Sequence, residues 1–339
     1  MDRLSRLLCL QFEDDRTGVS LDLSRMGFSR AELSSFAAPM AAAFEEMRAL
    51  EAGMVVNRDE DRRVGHYWLR DPELAPGELA EEIRRGFEKI RDFAGRVLDA
   101  GIPPPRGGRY RQLCLIGIGG SALGPQFLAE ALHEPGQGLS LVTLDNSDPD
   151  GIRRSLKRLE LPETLFVVIS KSGGTLETRN GMLEARAALQ EADLDLARQA
   201  VAITMAGSKL DRLAESEGWL QRFPLKDWVG GRTSITSAAG LLPAALMGID
   251  VKSFLNGARA MDENTRRAEH DGNLAALMAS AWHLALHGAS RRNLVVLPYR
   301  DRLALLGRYL QQLVMESLGK ELDRRGRIVH QGLTVYGNK

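Results

Sequence analysis

Phe166-Val-Val-Ile-Ser-Lys-Ser-Gly-Gly-Thr-Leu-Glu-Thr178 passes from a short Val- and Ile-rich run straight into small hydroxyl residues and paired glycines. The apolar run has the length and β-branched character of a buried strand. The hydroxyl and glycine residues after it read as a tight turn and then a helix start. Successive backbone N–H groups of such a turn, with the positive end of a helix dipole, make an anion site. The hydroxyls of Ser170, Ser172, Thr175 and Thr178 add neutral donors. Several short donors converging on one small volume suit phosphate. The first expectation is therefore a phosphorylated small molecule, held at the C-terminal end of a parallel-sheet strand.

The pattern repeats on both sides of this stretch. Strand-like runs at Gln112–Ile116, Leu139–Leu144, Thr164–Ile169 and Ala200–Met205 alternate with helical patterns. That alternation predicts an α/β fold of βαβ units, a parallel sheet with helices on both faces. Upstream, Ser29-Arg-Ala-Glu32 is a capping box that predicts a helix running to Glu51, with Gly53 as its stop. Leu79, Ile83, Phe87, Ile90, Phe93 and Val97 recur at helical spacing, predicting a helix over Glu78–Ala100. Gly101-Ile-Pro-Pro-Pro-Arg-Gly-Gly108 is the clearest linker. Asp227–Ser234 reads as a boundary. Beyond it lie expected helices at Thr236–Met247, Asn273–His287 and Arg302–Leu318, and strands at Asn293–Leu297 and Ile328–Tyr336.

Composition bounds the function. A chain of 339 residues suggests about two domains. Hydrophobic residues at 44% and charged residues at 27% are those of a soluble globular protein. Lys plus Arg and Asp plus Glu are 45 each, so no net charge draws the chain to nucleic acid or membrane. Cys9 and Cys114 cannot form a disulfide framework, and Cys114 sits in an apolar run as a small core residue. Neither a signal peptide nor a membrane span is legible, so the expected location is cytoplasmic.

Gly117-Ile-Gly-Gly-Ser-Ala-Leu-Gly124 comes directly after a strand and opens a helix. Gly117, Gly119 and Ala122 also satisfy a loose dinucleotide fingerprint, with Asp145 at the end of the next strand. A nicotinamide-dependent dehydrogenase is thus an alternative, and a ligand-free turn is a plainer one. A dinucleotide site needs no second hydroxyl-rich loop, whereas two loops after two strands can converge on one phosphate.

Two glycines ahead of Arg232 let a tight turn aim its guanidinium at an oxyanion; a surface arginine is the ordinary reading. Gln312 and Glu316 lie one helical turn apart, and apolar Met315 and Leu318 suggest partial burial that would suit Glu316 as a base. Most lone glutamates are simply solvated. His283 and His287 have metal spacing but no matching third ligand, so no metal is expected. His66 reads as packing among aromatics, and His330 stands near the chain end.

Taken in order, Val64-Gly-His-Tyr-Trp-Leu-Arg70, Ile116-Gly-Ile-Gly-Gly-Ser121, Ile169-Ser-Lys-Ser-Gly-Gly-Thr175, Val229-Gly-Gly-Arg-Thr-Ser234 and Met315-Glu-Ser-Leu-Gly-Lys320 resemble the glucose-6-phosphate isomerase (phosphoglucose isomerase) family. The resemblance implies two three-layer sugar-isomerase (SIS) domains, at 101–226 and 227–339, behind an N-terminal helical arm at 1–100. It implies a cofactor-free homodimer interconverting glucose 6-phosphate and fructose 6-phosphate through an enediolate. Glu316 would move the proton between C1 and C2, and Arg232 would stabilise the enediolate oxygen. Gly120, Ser121, Ser170, Ser172 and Thr175 would hold the phosphate, with Lys171 at the same site setting the local field or packing. Gln312 would contact the sugar. A non-catalytic sugar-phosphate binder on the same fold is the alternative within the family. The family's ring-opening histidine and C-terminal lysine have no counterpart here, and many members carry Asn where Leu318 stands. The second domain is accordingly expected to be incomplete, and the chain to be a piece of a longer enzyme.

Overall fold

The computed structural model describes residues 3–57, 61–286, 293–323 and 325–337. An N-terminal arm comprises α1 (Arg3–Leu10), a hairpin of β1 (Gln11–Asp14) and β2 (Val19–Asp22), then α2 (Arg30–Ser34) and α3 (Ala37–Glu51). A second hairpin pairs β3 (Val55–Asn57) with β4 (Arg62–Arg63), and α4 (Leu79–Leu98) comes next. The capping box at Ser29 is present in full. The single helix expected from Ser29 to Glu51 is two, because Pro39 has no N–H to give to Ser35. With α3 starting at Ala37, Pro39 falls in its first turn, where the missing donor costs nothing.

Five parallel strands form the central sheet: β5 (Gln112–Ile116), β6 (Ser140–Leu144), β7 (Thr164–Ile169), β8 (Ala200–Thr204) and β9 (Gln221–Pro224), in the order β6-β5-β7-β8-β9. The first four stand where the apolar runs predict them. β9 reads poorly as a strand because it is polar and ends in Pro224, a residue tolerated only at a sheet edge, which is where it lies. Side chains alternate between two cores. Leu113, Leu115, Leu165, Val167 and Val201 face α4, α5 (Gly120–Leu132) and α9 (Ala238–Leu246). Cys114, Ile116, Phe166, Val168 and Ala202 face α6 (Pro149–Leu156), α7 (Leu176–Glu191) and α8 (Lys209–Ser216). Burial pushes the Cys114 thiol well above its usual range, as befits a core residue.

Beyond the sheet come α10 (Val251–Thr265), α11 (Leu274–Leu286), β10 (Leu294–Val296), α12 (Leu306–Leu318), β11 (Lys320–Leu322), β12 (Ile328–Gln331) and β13 (Val335–Gly337). β10 and β13 form a parallel pair; β11 and β12 form an antiparallel one. The single strand expected over Ile328–Tyr336 is therefore two strands of different sheets. His330, at a φ of 44° inside β12, bends that strand where its register with β11 is irregular, and 332–334 connect it to β13. The helix expected from Arg302 begins as a separate 3-10 turn, Asp301–Leu303.

The arm is stitched to the rest along one seam. Leu10, Leu23, Phe28 and Leu33 pack with Leu274 and Leu277 of α11. Trp68 stacks edge-on to Trp228 at 5.3 Å. Arg70 pairs with Asp262, which also meets Arg266, itself 2.7 Å from Glu51. Desolvation, with Arg70 nearby, pushes the His66 pKa down to about 4, so its ring stays neutral. No helix among the described residues is long and apolar enough to cross a membrane.

Candidate active site

The chain steps outward from β5 to β6, then returns across β5 to β7, so the sheet reverses direction between β5 and β7. The loops after these two strands consequently splay to opposite faces and leave a crevice at the strand ends. The first loop reaches α5 through Gly119, whose φ of 59° favours glycine. The second is tied back on itself. Ser170 and Thr175 hydroxyls lie 3.1 Å apart, and the Gly174 N–H donates to Ser172 Oγ at 3.2 Å. Thr204 Oγ1 donates to the Ser170 carbonyl at 2.6 Å. The sixteen-residue α7 starts immediately after Thr175.

A cavity of about 260 Å³ opens here, lined by Ser121, Ser170, Lys171, Ser172 and Thr175, with Thr178 and Arg62. The buried Thr178 hydroxyl has no hydrogen-bond partner among the described residues. Lys171 does more than set a field: its ammonium donates to the carbonyls of Asp227 at 2.6 Å and Val229 at 2.9 Å. It thereby fastens the loop to the segment leading into Arg232. Gly120 is not among the lining residues. A Cβ there would sit 2.0 Å from the Gly231 carbonyl oxygen, so the two backbones meet directly.

Arg232 rides on a 3-10 turn, Gly231–Thr236, packed against α5 and α12. Its guanidinium pairs with Glu316 of α12 and donates through Nε to Ser317 Oγ at 3.0 Å. Tyr309 donates to the Arg232 carbonyl at 3.2 Å and stacks on Phe127 of α5 at 5.4 Å. Tyr309, Gln312 and Glu316 share one face of α12. Gln312 Nε2 lies 3.1 Å from where a Gly119 Cβ would stand, so α12 looks onto the first loop. Glu316 is not partly buried as expected; its side chain is 55% exposed. The carboxylate sits in the last turn of α12, satisfied by an arginine in reach of water rather than by an apolar pocket. A carboxylate and a guanidinium thus stand side by side at the turn that meets the first loop, although Arg232, Gln312 and Glu316 do not line the hydroxyl-bearing cavity.

Other sequence candidates fall elsewhere. Asp145 and Thr143 both accept from Gln126 Nε2 at 2.9 Å, which occupies the acid a dinucleotide ribose would need. His283 packs edge-on to Phe36, and His287 lies outside the described residues. Among the described residues no cluster of three metal-ligating side chains occurs. A cavity of about 400 Å³ between α4, α9 and α10, walled by Phe87, Leu241 and Leu255, contains none of the expected site residues. Three contributors escaped the sequence reading: Arg62, Tyr309 and Ser317. Tyr309 was within reach, one turn before Gln312 on the same face. Arg62 was not, because the arm hairpin has no periodic signal.

The family model for phosphoglucose isomerase matches residues 29–339. A glucose-6-phosphate isomerase of Geobacter sulfurreducens is 57% identical over 334 residues, covering 97% of this chain and 63% of the relative. One from Cyanothece is 55% identical over 325 residues, covering 95% of this chain and 61% of the relative. This chain thus spans less than two thirds of the length of these curated relatives. The crystal structure of a glucose-6-phosphate isomerase from Chlamydia trachomatis superposes with a TM-score of 0.87 at 25% identity, over 98% of this chain and 65% of that one. A hypothetical protein of Thermus thermophilus superposes with a TM-score of 0.72 at 30% identity, over 97% of this chain and 69% of that one.

Proposed function

The chain belongs to the phosphoglucose isomerase family, and on that footing we propose that it carries the phosphate cradle, base and electrophile of an aldose–ketose isomerase acting on glucose 6-phosphate and fructose 6-phosphate. The observation that carries this reading is the Arg232–Glu316 pair, on a turn that meets Gly120, the residue before the Ser121 that lines the hydroxyl-bearing cavity at the sheet's switch point. Glu316 takes the proton from C2 of the open-chain aldose and returns it to C1. The negative charge that develops on oxygen meets Arg232, which is always charged and donates as a fork. Ser121, Ser170, Ser172 and Thr175 grip the phosphate, whose binding energy positions the reacting carbons. Gln312 orients the sugar between the two.

The same reading divides the chain into an arm (1–100), a phosphate-binding unit (101–226) and a second sugar-isomerase unit (227–339), with α9 reaching back onto the first sheet. A homodimer and a cytoplasmic location belong to it as well. The test is solvent-deuterium incorporation at C2 of the hexose phosphate in D2O, monitored by NMR. Glu316→Gln abolishes incorporation if the carboxylate is the base; incorporation that persists in that variant refutes the assignment.

A further inference from the structure

We propose that Arg62, delivered by the N-terminal arm, reads the charge of the phosphate group while the serine and threonine hydroxyls read its shape. This rests on the sugar-phosphate reading above and extends it to a residue outside the sheet. A phosphate monoester carries close to two negative charges at neutral pH, with a second pKa of about 6. The hydroxyls of Ser121, Ser170, Ser172 and Thr175 supply direction but no countercharge. Of the described residues lining the cavity only Arg62 and Lys171 are cationic, and the Lys171 ammonium already donates to two backbone carbonyls. Arg62 has five donors in a planar fork, enough to serve a protein partner and a phosphate oxygen together.

Arg62 reaches the cavity from its own side. It is paired with Asn57 in the β3–β4 hairpin and flanked by Asp61 and Arg63, with the Arg63 guanidinium directed towards Gly53. The hairpin leads into Gly65, whose N–H donates to the Trp228 carbonyl at 3.1 Å. That carbonyl lies between the two that hold Lys171. Arm and phosphate loop are therefore keyed to the same short segment, and the docked arm adds a second countercharge to that of Lys171. No histidine or carboxylate lines the described cavity, so a pH dependence of binding between 5 and 8 reports the ligand's own second ionisation.

The experiment is calorimetric titration of the chain with glucitol 6-phosphate, a hexitol phosphate that cannot isomerise, at pH 8 and pH 5.5. The wild type binds more weakly at pH 5.5, as the phosphate takes up a proton. Arg62→Gln binds at least tenfold more weakly at pH 8 and loses most of that pH dependence. Ser172→Ala weakens binding by a similar factor at both pH values, since it removes a donor and no charge. Arg62→Lys, which keeps the charge, recovers most of the affinity. Arg62→Gln within twofold of wild type at pH 8 overturns the proposal, and so does equal loss in the Lys and Gln variants. A wild-type chain that binds no glucitol 6-phosphate at all overturns the sugar-phosphate reading itself.

Discussion

β7 and β13 are both strands of parallel pairings, yet they live in different surroundings. Every residue of β7 is buried, with helices over both faces and a strand on either side. β13 has one partner, and of its three residues only Val335 is buried. The cavity that suits phosphate is built on the first kind of scaffold. Gln312 and Glu316 ride on α12, whose core consists of Val314, Leu333 and Val335 with a few half-buried neighbours. On the proposed reading, binding and chemistry are thus mounted on supports of unequal burial, joined at the Arg232 turn. They should respond separately to mutation.

The largest expected effect falls on chemistry alone. Glu316→Gln lowers turnover by about a hundred- to ten-thousand-fold, the range of general-base contributions. Affinity for glucitol 6-phosphate should stay within about threefold; a parallel loss of both would erase the distinction between the two supports. Next comes the stiff scaffold. Phe166→Ala should cost about 3–5 kcal/mol of stability and weaken phosphate binding with it. Val335→Ala should cost about 2 kcal/mol and leave phosphate binding unchanged. Denaturant titrations paired with calorimetry check both, and a Val335→Ala variant with impaired phosphate binding would merge the regions.

The seam between arm and sheet offers a pH test. Since the folded His66 pKa is depressed to about 4, the unfolded chain alone takes up this proton between about pH 6.5 and 4. The stabilising contribution of neutral His66 is whole above pH 6.5 and is lost as pH falls towards 4, to the extent of about 3 kcal/mol. Melting temperatures of wild type and His66→Gln should converge over that interval; parallel curves would leave His66 without a role in the seam. The smallest effect is that of Ser317→Ala. It removes one acceptor from Arg232 and should reduce turnover by about fivefold, on the scale of one hydrogen bond, with phosphate affinity intact.

The sequence was most legible where one interaction dominates. Continuous apolar runs marked four of the five sheet strands; in β5, β7 and β8 burial on both faces demands them, whereas β6 is a half-buried edge strand. The two loops at the switch point were readable because only glycine and small hydroxyl residues suit a backbone that wraps an anion. The features that stayed hidden were decided by neighbours distant in sequence. β9 is a strand because β8 offers it an edge, not because Gln221–Pro224 favours one. Glu316 looked half-buried beside Met315 and Leu318, but Arg232, 84 positions earlier, holds it at the surface. Lys171 looked like a field-setting charge; its carbonyl acceptors lie more than fifty residues away.

Gly120 and Gly231 touch backbone to backbone, and that contact acts as a ruler. No rotamer can lengthen or shorten it, so the spacing between the start of α5 and the arginine turn is fixed by main-chain thickness. Any ligand that bridges the two must match this gauge with its own carbon skeleton. Tolerance for longer or shorter molecules then falls to the other side, where α12 rests on its smaller core.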